Sequence, residues 1–323
     1  MRHFLSLVLL SLLAIFVANG TIAPLHKILP QEFSRTAFLI ETSQKGMEAE
    51  AVIFGNSIAM SGINAGRLAA LSNSIDLAYN LASNGQYLNE SILYYPSVQA
   101  PTTLVVQMLR STELSQPFKK IDRAVLRNFY FGGYDFNTDV EQLFKLDLGL
   151  NYIKNRGNIF LKNDHRGLLV NSLNTILKNG LRSDMKEKEM ETDLIFPNIY
   201  TKQLPQDKLQ ILINKYNPAK ELKSFDIHPD KAAFIYRAQK YFAGKGIKYV
   251  VAILPFHDGL TSYSPNYKYL VNQRVERSQL PIVSLIDDMA PEEFVDHCHL
   301  SKQGASHLTD RLYEELKKQG HAF

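Results

Sequence analysis

The chain has 323 residues, 45% of them apolar and 21% charged, which is enough for one large domain or two small ones with a real core. A formal charge of +4, with no Lys/Arg block and no basic–aromatic stripe, excludes nucleic acid as an expected partner. The single cysteine, Cys298, excludes an intrachain disulfide.

Met1, Arg2 and His3 precede an apolar run over residues 4–18 that only Ser6 and Ser11 interrupt. One positive charge ahead of such a run favours a cytoplasmic N-terminus and export of the remainder of the chain. Extended through residue 25, the run approaches the roughly 20 residues a spanning helix needs. Its apolar centre also has the length of a signal-peptide core, about 7–15 residues. Residues 1–25 are therefore expected to be a signal anchor, or a signal peptide cleaved near residues 18–20. The first leaves a membrane-anchored protein with its main domain outside the cytoplasm, and the second a secreted or periplasmic one. Residues 26–50 read as a linker and lead-in helix with Phe33, Phe38 and Leu39 as its apolar contacts.

The main domain is expected over residues 51–323. Apolar runs of strand length occur at 51–54, 75–79, 103–108, 248–254 and 282–285. Those at 103–108 and 248–254 are nearly continuous, as in parallel strands covered on both faces. Helical patterns fall between them at 63–71, 89–96 and 230–245. A last helix comes after Ser301, a plausible N-cap residue, and carries Ala305, Leu308, Leu312 and Leu316 at helical spacing. Alternating strands and helices predict an α/β fold with a doubly wound parallel sheet. Residues 112–227 break the rhythm with many aromatics and few strand patterns. They are expected to form a large, mostly helical insertion, as packing against the sheet, as a lid or substrate-binding subdomain, or as both.

Two short stretches carry chemistry. The first strand runs into Gly55-Asn56-Ser57, and residues 296–299 read Asp-His-Cys-His just ahead of the last helix. A serine at the carboxyl edge of a parallel sheet sits where open α/β folds bind ligands. The N-terminus of the next helix directs its N–H groups at a developing oxyanion. Asp296 and His299, three residues apart on one turn, supply a base and the carboxylate that orients it. Ser57, His299 and Asp296 are thus the candidate nucleophile, base and orienter. The alternative for Gly-Asn-Ser is an ordinary turn. A metal site is not expected: Asp296, His297, Cys298 and His299 crowd onto four consecutive positions, and no distant Cys/His cluster completes a usual spacing. Cys298 reads as a small buried apolar residue. His257, after the fourth strand, either lines the cleft or is a satisfied structural histidine.

The Gly55-Asn56-Ser57 block, the Asp296-x-x-His299-Leu300 block and Asn80-Leu81-Ala82-Ser83-Asn84-Gly85 together resemble the SGNH (GDSL) hydrolase superfamily. The layout is nearest to its membrane-anchored or exported cell-surface acyltransferase-like proteins, of the teichoic-acid D-alanylation and alginate O-acetylation type. That resemblance implies a three-layer, flavodoxin-like fold, with oxyanion donors at the Ser57 and Gly85 N–H groups. It implies attack by Ser57 on an ester or thioester, with no metal or organic cofactor. The implied substrates are an acyl donor or an esterified glycan or lipid of the cell envelope, and the implied protein partner is a membrane-bound acyltransferase. The chain departs from the pattern twice: the first block has Asn56 where the family name implies Asp, and no Gly-x-Asn-Asp comes after the third strand. Gln107 and Arg110 stand there, as cleft residues or as a strand end and a surface arginine. The expected function is an extracytoplasmic serine esterase or O-acyltransferase. The alternative is a catalytically weak or inactive protein of this fold that binds envelope polymer or a membrane acyltransferase.

Overall fold

The computed structural model describes residues 31–136, 139–154, 194–197, 202–216, 224–260, 265–287 and 289–320, with scattered positions between 6 and 17. Most of the expected anchor or signal segment, residues 1–25, lies outside the described residues. The described positions there are helical, and Val8, Leu9, Leu10, Leu13 and Val17 are exposed. Among the described residues no helix is long and apolar enough to cross a membrane.

The lead-in segment contains a helix, α1 (Gln31–Lys45), whose Leu39 and Ile40 enter the core. Strand β1 (Ala51–Phe54) comes next, then α2 (Ser57–Gly62) and α3 (Ala65–Leu71). Sequence periodicity predicts one helix over 63–71, whereas the chain forms two. Asn56 caps the first by accepting from the Ile58 N–H at 3.0 Å, and Asn64 caps the second by accepting from the Arg67 N–H at 3.0 Å. Ile63 between them is extended.

Strand β2 is Ala78–Asn80, and β3 is Leu104–Leu109. Between them lie one turn of α-helix, Leu88–Ser91, and a 3-10 stretch, Ile92–Ser97. Helices α4 (Arg123–Phe131) and α5 (Gln206–Tyr216) fall in the stretch expected to be an insertion. Among the described residues between 112 and 227 there are helices and no strand. Then come α6 (Pro229–Ala243), β4 (Lys248–Ile253), α7 (Pro265–Ser278), β5 (Ile282–Ser284) and α8 (Lys302–Lys318).

The five strands form one parallel sheet in the order β2-β1-β3-β4-β5. This is one of the two common doubly wound orders, and its switch point lies between β1 and β3. Alternate residues of each strand serve opposite faces. Val105 and Leu109 of β3 join the core under α1, α4, α6 and α7, while Val106 and Met108 join the core under α2, α3 and α8. Phe129, Val140, Phe144, Leu148, Leu150 and Ile153 pack into the first core, and Leu209 and Ile213 of α5 into the second. The α/β class read from the sequence is therefore the class observed.

Candidate active site

Gly55 ends β1 where no side chain fits. A Cβ there would lie 2.6 Å from Ala59 Cβ and 3.1 Å from the Met108 carbonyl oxygen. That close approach lets the chain turn into α2 against β3, with Ser57 as the first helical residue. The Ser57 N–H has no acceptor among the described residues. It is one of the orphan donors at a helix N-terminus.

Asp296 and His299 are held by a tight hairpin. Phe294 and Leu300 form an antiparallel bridge, the Val295 N–H donates to the His299 carbonyl at 2.8 Å, and the Ser301 N–H donates to Glu293 at 2.7 Å. Ser301 then caps α8 by accepting from the Gly304 N–H at 3.1 Å. Gly304 is required there, because a Cβ would lie 2.4 Å from the Glu293 carbonyl oxygen. Serine helix and hairpin share one support: Leu300 and Leu308 both approach the position a Cβ of Gly62 would fill, at 3.3 Å. Farther out, Arg67 binds Asp310 of α8 in a two-pronged pair at 2.5 and 2.6 Å.

On this frame His299 Nε2 lies 2.9 Å from Ser57 Oγ, and His299 Nδ1 lies 2.7 Å from Asp296 Oδ2. The other carboxylate oxygen accepts from the Cys298 and His299 N–H groups at 2.9 and 2.7 Å. Burial by itself would raise the Asp296 pKa. The hydrogen bond and charge of His299, with the two backbone donors, outweigh it and hold the carboxyl at about 2. Asp296 is thus an anion that fixes the imidazole with its proton on Nδ1, leaving Nε2 to accept from the serine hydroxyl.

The loop after β2 runs alongside. The Leu81 N–H donates to Ile53 and the Ser83 N–H to the Gly55 carbonyl, at 2.7 and 3.0 Å. Gly85 comes next with φ +70°, a left-handed backbone that favours glycine, and open space where a Cβ would point. Its N–H, like that of Ser57, has no acceptor among the described residues.

The remaining candidates are divided. Asn56 is buried and serves as the cap of α2. Of the two alternatives for Gln107, the structure shows the strand residue: it does not line the cleft. It is fully buried, its Oε1 accepts from the Tyr95 hydroxyl at 2.8 Å, and its Nε2 donates to the Met108 carbonyl at 3.3 Å. The pleat directs it to the other face, where Tyr95 also meets Tyr249. Arg110 stays at the sheet edge, its guanidinium 5.7 Å from the centre of the Tyr87 ring. His257 is buried against Phe294 and its Nδ1 accepts from the Gly259 N–H at 2.9 Å, which puts its proton on Nε2. Burial lowers its pKa, partly countered by Asp258, Glu292 and Asp296, so it is a neutral neighbour of the hairpin.

The donor atoms of Asp296, His297 and Cys298 lie within 4.8 Å of one another, a grouping that resembles a metal site. The residues fit one poorly: both Asp296 oxygens are engaged, and burial pushes the Cys298 thiol pKa up, away from the thiolate a metal needs.

Three contributors escaped the sequence reading. Fully buried Asn80 donates to Ala59, Met60 and Ile63 at the end of α2, while its Oδ1 accepts from the Ala82 N–H. Arg35 of α1 donates to the Asn80 and Ala82 carbonyls at 2.7 and 2.8 Å, fixing the same loop from outside. Tyr216 of α5 stacks on His297 at 4.3 Å, which brings the expected insertion to the border of the site. Asn80 stands in the block read for Gly85, and its terminal position on a strand was its only signal.

What fold and site define together is a doubly wound parallel α/β protein with a Ser–His–Asp hydrogen-bonded chain at its carboxyl edge. No protein-family model matches the sequence, and no curated protein matches it.

Proposed function

We propose that this chain is a serine esterase or O-acyltransferase of the SGNH type, acting outside the cytoplasm on esterified glycans or lipids of the cell envelope. The observation that carries the reading is the unbroken chain from Ser57 Oγ through His299 to Asp296, at 2.9 and 2.7 Å. Both distances are within the reach that general-base catalysis requires. In this mechanism His299 Nε2 takes the serine proton as Oγ bonds to the acyl carbon. The Ser57 and Gly85 N–H groups receive the oxyanion. His299 then returns the proton to the departing oxygen as its bond to the acyl carbon breaks, leaving an acyl-serine. Water or a sugar hydroxyl, deprotonated by the same imidazole, releases the acyl group and restores the serine. Export and membrane attachment belong to the proposal, through the apolar N-terminal segment.

A second reading, a weakly active or inactive protein of this fold that binds polymer or a membrane acyltransferase, has one observation in its favour. Gln107 is locked into the core, so no side-chain amide stands at the end of β3 as an oxyanion donor. Fluorophosphonate labelling of the full chain in detergent, beside Ser57→Ala, separates the two. Labelling of the wild type alone supports the enzyme. A folded wild type that does not label supports the binding protein.

A further inference from the structure

Arg110 comes directly after β3, beside the end of β1 that leads to Ser57. Two relationships locate its guanidinium. It packs on the ring of Tyr87, two residues beyond Gly85, and its charge acts on His297 and Cys298, the neighbours of His299. It therefore packs against the loop after β2, within electrostatic range of the Asp–His hairpin.

Its Nε is buried without a hydrogen-bond partner, and the guanidinium has no ion pair among the described residues. Arg35 is engaged with two carbonyls, Arg67 with Asp310 and Arg274 with Asp226, whereas Arg127 and Arg237 also bury an Nε without a hydrogen bond, away from the crevice residues named above. Glu113 is close enough to feel the Arg110 charge but forms no ion pair with it: its Oε1 accepts from the Leu88 N–H at 2.8 Å and its Oε2 is buried without a hydrogen bond. A guanidinium keeps its charge at every relevant pH. Partly withdrawn from water, it is stabilised only by an acceptor, and charged acceptors suit it best.

We propose that Arg110 is a specificity residue that binds an anionic group of the substrate, a carboxylate, sulfate or phosphate carried close to the acyl bond. This rests on the serine-esterase reading and narrows its substrate class to anionic esters. Tyr87, 47% exposed, lies beside the same opening and offers a ring face to the rest of the substrate.

Two matched ester pairs test the proposal on the full chain. 4-Acetoxybenzoate against its methyl ester places the charge on the alcohol side, and 4-nitrophenyl hemiglutarate against 4-nitrophenyl valerate places it on the acyl side. The charged member of one pair is expected to be favoured by about tenfold, the worth of a charge-assisted hydrogen bond. The preference should lie in KM, shrink with salt, disappear in Arg110→Gln and partly return in Arg110→Lys. An unchanged preference in Arg110→Gln overturns the proposal. So does an equal fall in kcat on charged and neutral esters, which would make Arg110 an oxyanion donor. Thermal unfolding verifies that each variant is folded. If the wild type hydrolyses no ester, saturation-transfer NMR with 4-acetoxybenzoate decides. Binding to wild type and not to Arg110→Gln keeps the anion site while the esterase reading fails, and binding to neither sinks both.

Discussion

The Asn80 side chain donates to the Ile63 carbonyl at 2.8 Å, tying the end of β2 to the far end of the helix that begins at Ser57. The same amide nitrogen serves the Ala59 and Met60 carbonyls, and the amide oxygen takes the Ala82 N–H. One buried side chain thereby sets the serine helix and the Gly85 loop in a fixed relation. Asn80→Leu would leave those groups unsatisfied in the core, at a cost of about 1–3 kcal/mol. The expected result is a Tm lower by several degrees together with a lower kcat. An unchanged Tm would show that the tie contributes nothing.

Asp296→Asn tests the orienting carboxylate. The amide oxygen can still accept from the Cys298 and His299 N–H groups, so the hairpin should persist. Its NH2 group facing Nδ1 favours the wrong imidazole tautomer, and kcat is expected to fall on the order of 10⁴-fold, as such substitutions do elsewhere. Ester hydrolysis with parallel circular dichroism checks this. Activity within about tenfold of wild type would remove Asp296 from the mechanism.

Gly304→Ala places a methyl group 2.4 Å from the Glu293 carbonyl oxygen, against backbone rather than a movable side chain. Displacement of the α8 start from the hairpin should cost about 1–3 kcal/mol. It should also lower activity, because Asp296 and His299 hang from that junction. Gly85→Ala is the informative comparison: the space is open there, and only the positive φ is penalised.

Glu90 gives the protein a pH signature away from the crevice. Burial first, then the charges of Glu113 and Asp122, raise its pKa against the opposing Tyr87 hydrogen bond, to about 8. The folded chain thus holds a proton that the unfolded chain releases near the ordinary value of 4.5. Stability is expected to fall as pH rises across that window, and to level off above about 8. Glu90→Gln should remove much of the slope, a difference on the order of 3 kcal/mol between pH 5 and pH 8. Glu113, whose pKa burial also raises, adds slope of the same sign, whereas His257 and His297, lowered by burial, oppose it. Thermal unfolding of both proteins across that range is the measurement. Parallel curves would mean that Glu90 ionises freely.

Strands and the Ser–His–Asp chain were legible because their signals are local. Buried parallel strands write continuous apolar runs, and the observed ends of β1, β3, β4 and β5 fall within one residue of the expected ones. Asp296 and His299 share one hairpin, so their spacing alone allowed them to meet. The break between α2 and α3 was missed because the Asn64 cap and extended Ile63, rather than apolar periodicity, set it. Gln107 was left open between cleft and strand because a strand-end glutamine belongs to either face until the pleat is known. The Arg35 and Asn80 ties join residues 45 or more positions apart or cross from strand to helix end, and no local pattern records them.

Ser57 and His299 are 242 positions apart, with the base carried just ahead of the last helix. A ribosome-bound chain has long since displayed its serine when the imidazole emerges, and the hairpin is anchored only once α8 docks against α2 and α3. Until α8 has emerged and docked, the hydroxyl has no base beside it. Under the proposed function, a chain without α8 is thus expected to show no serine reactivity, whether it is still being made or has been truncated.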